Sequence, residues 1–114
     1  MELSILFNGS RGHDDSDYLA WLDANPEGFV ANVPHPHTPY DTFPVVMHHA
    51  SCPDTRNRGQ GGKLTSNTQW KVCSLSQDLA EHGALRYTRV PLKYCQSNKV
   101  GGCGRFWTSE GKRR

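Results

Sequence analysis

Four cysteines and a nearby histidine pair are the side chains in this sequence best equipped for chemistry. Cys52, Cys73, Cys95 and Cys103 are separated by 20, 21 and 7 residues, and His48-His49 precedes the first of them by a few positions. Thiolate and imidazole donors in this number suit zinc, which takes four such ligands in a structural site. Paired cysteines can also signal disulfides. The beginning of the sequence shows no basic start followed by a long apolar stretch, so the expectation is a reducing cytoplasm in which thiols stay free. Two local contexts favour metal. His48-His49-Ala50-Ser51-Cys52 stands where a strand gives way to a turn. The stretch from Cys95 to Cys103 contains Gly101 and Gly102, which let backbone N–H groups fold back on thiolate sulfur. Its 7-residue gap is wider than the usual spacing of two to four. The expected ligands are drawn from His48, Cys52, Cys73, Cys95 and Cys103, which is five candidates for four places. Cys73 follows Val72 in an apolar strand and suits an inert core thiol equally well.

Other reactive residues carry less. His35-Pro36-His37 can ligate a metal or move a proton, but no carboxylate stands at a recognisable spacing. His13 beside Asp14 and Asp15 reads as a solvated loop. Gly59-Gln60-Gly61-Gly62-Lys63 superficially resembles a phosphate-cradling loop. It lacks the strand–loop–helix context and the hydroxyl residue directly after the lysine.

The elements that must position these groups follow from periodicity. Glu2 to Phe7 alternates as a short strand with Leu3, Ile5 and Phe7 on one face. Tyr18, Leu19, Trp21 and Leu22 give the stripe of a helix over 17–24, capped by Asp15 or Ser16 and stopped by Asn25-Pro26-Glu27-Gly28. Strands are expected at 29–33 and 43–49, either side of a loop holding Pro34, Pro36 and Pro39. Gln69 to Cys73 alternates, with Trp70 and Val72 facing one way. A short helix over 76–82 should end at Gly83, and a fourth strand should span 85–90, before Pro91. The expected fold is α+β: a small antiparallel sheet, two short helices and a zinc-stapled Cys/His knuckle near the C-terminus. One domain over 1–104 and a basic tail over 105–114 complete the organisation.

Composition agrees with a small domain whose thin core a disulfide or metal staple often supports, although a domain near this length can fold without one. Hydrophobic residues make up 35% of 114 residues, which leaves a thin core for a domain of this size. No apolar run is long enough to span a bilayer, so no membrane partner is expected. Three Trp, four Tyr and four Phe argue against a wholly disordered chain. Charge is divided. Residues 1–57 carry two basic and eight acidic side chains, a net of −6, and residues 58–114 carry eleven basic and three acidic, a net of +8. The two halves either neutralise each other or offer the second to an anionic partner.

The motifs Tyr18-Leu-Ala-Trp21, Asn25-Pro-Glu-Gly-Phe-Val30 with Asn32, Val46-Met-His48 with Ala50-Ser-Cys52, and Lys71-Val-Cys73 resemble a small Cys/His-containing module of bacterial, often actinobacterial, restriction- and defence-associated proteins. The resemblance covers about residues 17–103. By position it implies roles for His48, Cys52, Cys73, Cys95 and Cys103. This sequence departs from the module in carrying His49 where arginine is usual and in stretching the last cysteine pair from two to seven intervening residues.

The leading functional expectation is a non-enzymatic, zinc-stapled module that binds nucleic acid, DNA or RNA. Arg58, Lys63, Lys71, Arg86, Arg89, Lys93, Lys99 and Arg105 would meet phosphates, and Trp107 would stack on bases. One alternative is a metal-dependent hydrolase or nuclease using His35, His37, His48 or His49 with Asp41 or Asp54. Another is a protein-interaction module docking to a nuclease partner through Asp14, Asp15, Asp17 and Asp23.

Overall fold

The computed structural model describes residues 4–34, 44–57, 63–66, 68–87 and 92–114. The fold is α+β. In chain order the elements are β1 (Ile5–Phe7), α1 (Asp15–Ala24), β2 (Phe29–Pro34), β3 (Val45–His49), β4 (Gln69–Ser74), α2 (Gln77–Leu85) and β5 (Leu92–Tyr94). Single turns of 3-10 helix follow at Pro53–Arg56 and Cys103–Arg105. The five strands form one sheet in the order β1-β4-β2-β3-β5.

Alternation along the strands divides the interior into two layers. Phe29, Ala31 and Val33 of β2 join Val45 and Met47 of β3, Val72 of β4, Ala80 and Ala84 of α2, and Trp107. Val30 and Cys73 point the opposite way and join Phe7, Tyr18, Leu22, Ala50 and Leu64. Trp70 packs with the same layer as Val72, as the alternation predicts. Tyr18 and Leu22, one helical turn apart, are the buried residues of α1.

Several boundaries differ from expectation for identifiable reasons. The cap of α1 is Asp14, whose side chain accepts from Asp17 N at 3.1 Å. Asp15 instead accepts from the amides of Leu64 and Thr65 and from the Thr65 hydroxyl, tying α1 to a distant segment. Gly83 does not end α2. A Cβ there would stand 2.7 Å from Val72, so glycine is what lets the helix lie close against β4. The strand expected at 85–90 is absent among its described residues: α2 runs to Leu85, and the next strand is Leu92–Tyr94. That strand also makes the sheet mixed. It pairs with β3 in parallel, Val45↔Leu92 to Met47↔Tyr94, while every other pair is antiparallel. A parallel neighbour requires a crossover, and β4 and α2 lie within it.

Residues 105–114 do not trail into solvent. Thr108 N donates to Lys112 O at 2.7 Å, Trp107 bridges to Arg113, and Arg114 N donates to Phe106 O at 3.0 Å. The Arg113 guanidinium lies 4.5 Å from the centre of the Phe106 ring. Among the described residues, no helix is long and apolar enough to cross a membrane.

Candidate metal centre

Three chain segments converge beyond one end of β3. The first is the end of β3 itself. His48 is its penultimate residue, the chain turns through Ala50 and Ser51, and Cys52 follows, its amide donating to His49 O at 2.9 Å. Pro53 then starts the 3-10 turn, where a missing N–H costs nothing. The turn is held from both sides. Thr55 Oγ1 donates to Cys52 O at 2.7 Å, and the buried Tyr18 hydroxyl of α1 donates to Thr55 O at 2.7 Å.

The second segment is Cys95, immediately after β5. Its amide donates to Met47 O at 3.0 Å, so the parallel pairing delivers it beside His48. Trp107 Nε1 holds the Cys95 carbonyl at 3.0 Å. The third is Cys103, at the start of its own 3-10 turn. A Cβ on Gly102 would stand 2.5 Å from Ser97 O, so the loop can close this tightly only with glycine.

As a result, one donor atom from each of His48, Cys52, Cys95 and Cys103 lies within 4.8 Å of all the others. These four residues are close enough to bind one metal ion. Two of the three sulfurs also receive a backbone hydrogen bond. Cys103 Sγ accepts from His49 N at 3.1 Å, and Cys95 Sγ accepts from Ser97 N at 3.4 Å. The amides of Asp54 and Cys103 favour the thiolate form of Cys52. Amides aimed at sulfur stabilise the thiolate form that a metal requires. The Cys103 thiol donating to Cys52 pulls the Cys52 thiol well below its ordinary value, helped by His48 and by those amides and opposed by burial. That same hydrogen bond, with burial, drives Cys103 up, and burial raises Cys95. His48 Nδ1 is buried and has no hydrogen-bond partner among the described residues. A buried ring nitrogen without a partner is costly, so His48 is under-satisfied within this cluster. At the rim, Asp54 Oδ2 lies 3.8 Å from Cys95 Sγ while Oδ1 pairs with Lys99 Nζ at 2.7 Å.

The structure leaves Cys73 out of this group. It is fully buried in the other layer, packed with Val30, Tyr18 and Leu22, and burial pushes its thiol far up. Alternation decides this: Val72 faces the layer that reaches the cluster, so Cys73 cannot.

The residues expected to touch nucleic acid separate into three groups. Lys63, Arg86, Lys93, Lys99 and Arg105 are exposed, although Lys99 is engaged by Asp54. Lys71 and Trp107 are buried and do not offer the contacts expected of them. Lys71 Nζ donates to Asn32 Oδ1 at 2.5 Å within the sheet. Trp107 stacks on Phe29, with ring centres 6.0 Å apart. Arg58 and Arg89 lie outside the described residues, as do His35, His37 and Asp41. His49 is occupied structurally, bonding Ser51 Oγ at 2.7 Å and packing 4.2 Å from Phe106. Of the acidic residues expected to dock a protein, Asp14 caps α1, Asp15 bonds to Leu64 and Thr65, and Asp23 pairs with Arg56 at 2.7 Å.

Sequence reasoning missed Trp107, Tyr18 and Thr55 as supports of the cluster. Only the rarity of an exposed tryptophan hinted at the first. No family model, curated protein or solved structure matches the chain.

Proposed function

We propose that this chain is a zinc-stapled binding module of a reducing cytoplasm, in which the ion has a structural role. The observation that carries this reading is the set of one imidazole and three thiols within 4.8 Å, with backbone amides donating to two of the sulfurs. Three thiolates with one imidazole suit Zn²⁺ over the oxygen-seeking divalent ions. Zinc would supply there a tetrahedral link between segments that the thin core holds weakly. Four protein donors fill that shell and leave no position for a substrate or water, which argues for binding over hydrolysis. His48 and Cys52 would anchor the end of β3, Cys95 the end of β5, and Cys103 the terminal hairpin.

The partner best suited to the held segment is nucleic acid. Residues 92–114 carry Lys93, Lys99, Arg105, Lys112, Arg113 and Arg114 against one acidic side chain, Glu110. Lys93, Arg105, Lys112 and Arg114 are exposed. Cations gathered on one rigid segment recognise a phosphate backbone without reading sequence.

Metal analysis and free-thiol titration of the purified protein test the first part. One zinc per chain, lost on replacing Cys103, is expected. A metal-free protein, or cystines among these residues, refutes it. Fluorescence anisotropy with single- and double-stranded oligonucleotides tests the second part. Affinity should fall steeply with added salt, and no binding at low salt refutes the nucleic-acid partner while leaving the staple standing.

A further inference from the structure

The four cysteines differ sharply in access. Cys52, Cys103 and Cys73 are 1%, 0% and 0% exposed, whereas Cys95 is half-buried. They differ also in how their sulfurs are held. Cys103 Sγ accepts a short amide bond from His49 N at 3.1 Å, and Cys95 Sγ a longer one from Ser97 N at 3.4 Å. Hydrogen bonds stabilise a thiolate and so blunt its attack, while burial denies an oxidant the approach it needs. Cys95 is the most exposed cysteine of the cluster, and its amide hydrogen bond is longer than that of Cys103.

We propose that Cys95 is an oxidation site at which hydrogen peroxide opens the metal centre. The inference rests on the zinc reading above. In the first step the Cys95 thiolate attacks one peroxide oxygen. An S–O bond forms, the O–O bond breaks, and the departing hydroxide takes a proton from solvent, leaving a sulfenic acid. In the second step the thiolate of Cys52 or Cys103, each with its sulfur within 4.8 Å, attacks Cys95 Sγ. An S–S bond forms, the S–O bond breaks, and a second hydroxide is protonated. Two thiolates are oxidised to one disulfide, and one peroxide is reduced to two waters with uptake of two protons. Only two of the four donors then remain, too few to retain the ion, and the hairpin of 105–114 loses its link to β3. A dithiol reductant reverses the change by exchange. Cys73, sealed in the other layer, takes no part.

The test uses the zinc-loaded full chain and one to ten equivalents of hydrogen peroxide. Released zinc is read with a chromogenic chelator, and each cysteine by differential alkylation and peptide mass spectrometry. The expected result is one zinc freed per peroxide consumed and Cys95 in a disulfide with Cys52 or Cys103. Cys73 should remain alkylatable after denaturation throughout, and dithiothreitol plus zinc should restore the starting state. Zinc retained at tenfold excess overturns the inference, as does a Cys52–Cys103 disulfide or oxidation of Cys73 while Cys95 stays free. A zinc-bound protein that ignores peroxide defeats this inference alone. A protein that binds no zinc defeats the staple as well.

Discussion

Replacing Lys71 by methionine should make the protein more stable at neutral pH. Lys71 is 9% exposed, and its ammonium has one acceptor among the described residues, Asn32 Oδ1. Among the described residues no carboxylate forms an ion pair with it. Burial lowers its pKa from 10.5 to about 8, outweighing the attraction of the Cys73 and Asp15 sites. At about 1.4 kcal/mol per tenfold change, holding that proton at pH 7 costs the folded state about 3 kcal/mol. Methionine fills a similar volume without the charge. It forfeits the hydrogen bond to Asn32, worth about 1 kcal/mol. The net gain for Lys71→Met at pH 7 is therefore about 2 kcal/mol. The sign of the pH dependence follows from proton counting. Between pH 8 and 10.5 the unfolded chain keeps the Lys71 proton and the folded chain has released it. The wild-type protein thus gains stability as pH rises through that window, recovering about 2 kcal/mol by about pH 9.5. Urea unfolding of both proteins in zinc-saturated buffer at pH 7 and pH 9.5 reads the difference, in which titrations common to both cancel. An advantage near 2 kcal/mol at pH 7 that vanishes at pH 9.5 is expected. A less stable variant at pH 7, or an advantage unchanged by pH, would refute the reasoning.

Three further substitutions probe the division of the interior, the ligand set and the terminal hairpin. Cys73→Ala should leave zinc stoichiometry intact and cost only about 1 kcal/mol of stability as a small cavity, whereas Cys103→Ala should abolish tight zinc binding. Elemental analysis beside urea unfolding separates them, and loss of zinc from Cys73→Ala would overturn the ligand set. Gly111→Ala places a side chain at φ +81° and its Cβ 2.3 Å from the Tyr94 ring. The left-handed backbone alone costs about 1–2 kcal/mol, so hydrogen exchange at the Thr108 and Arg114 amides should quicken more than tenfold. Unchanged protection there would show that the hairpin does not depend on this turn.

Local pattern revealed those elements whose packing obeys it. The stripe of Tyr18 and Leu22, the alternation of Trp70 and Val72, and the apolar run of β2 all report periodicity that burial enforces. Four of the five expected ligands converge, and the fifth fails by parity, because Cys73 is one residue from Val72 and a strand turns it to the other face. Legibility ended where distant contacts override local preference. Gly83 reads as a helix stop but serves a close approach to Val72. Asp15 reads as a cap but bonds to Leu64 and Thr65, far along the chain. Lys71 and Trp107 read as surface groups because composition places them in a basic half, whereas β2 and the terminal hairpin bury them. The parallel partnership of β3 and β5 has no short-range signature, since nothing in either strand specifies the direction of its neighbour.

That partnership dictates a timetable for biosynthesis. A ribosome delivers β3 with His48 and Cys52 early, yet the strand destined for the open edge of β3 emerges only after β4 and α2. Until then a nascent chain exposes an unpaired edge and an incomplete coordination set. On the zinc reading, the ion could be captured only once Cys103, the last of the four donors, has been synthesised. A product terminated before Leu92 would present both defects permanently, and cellular proteolysis would have a simple basis for discarding it.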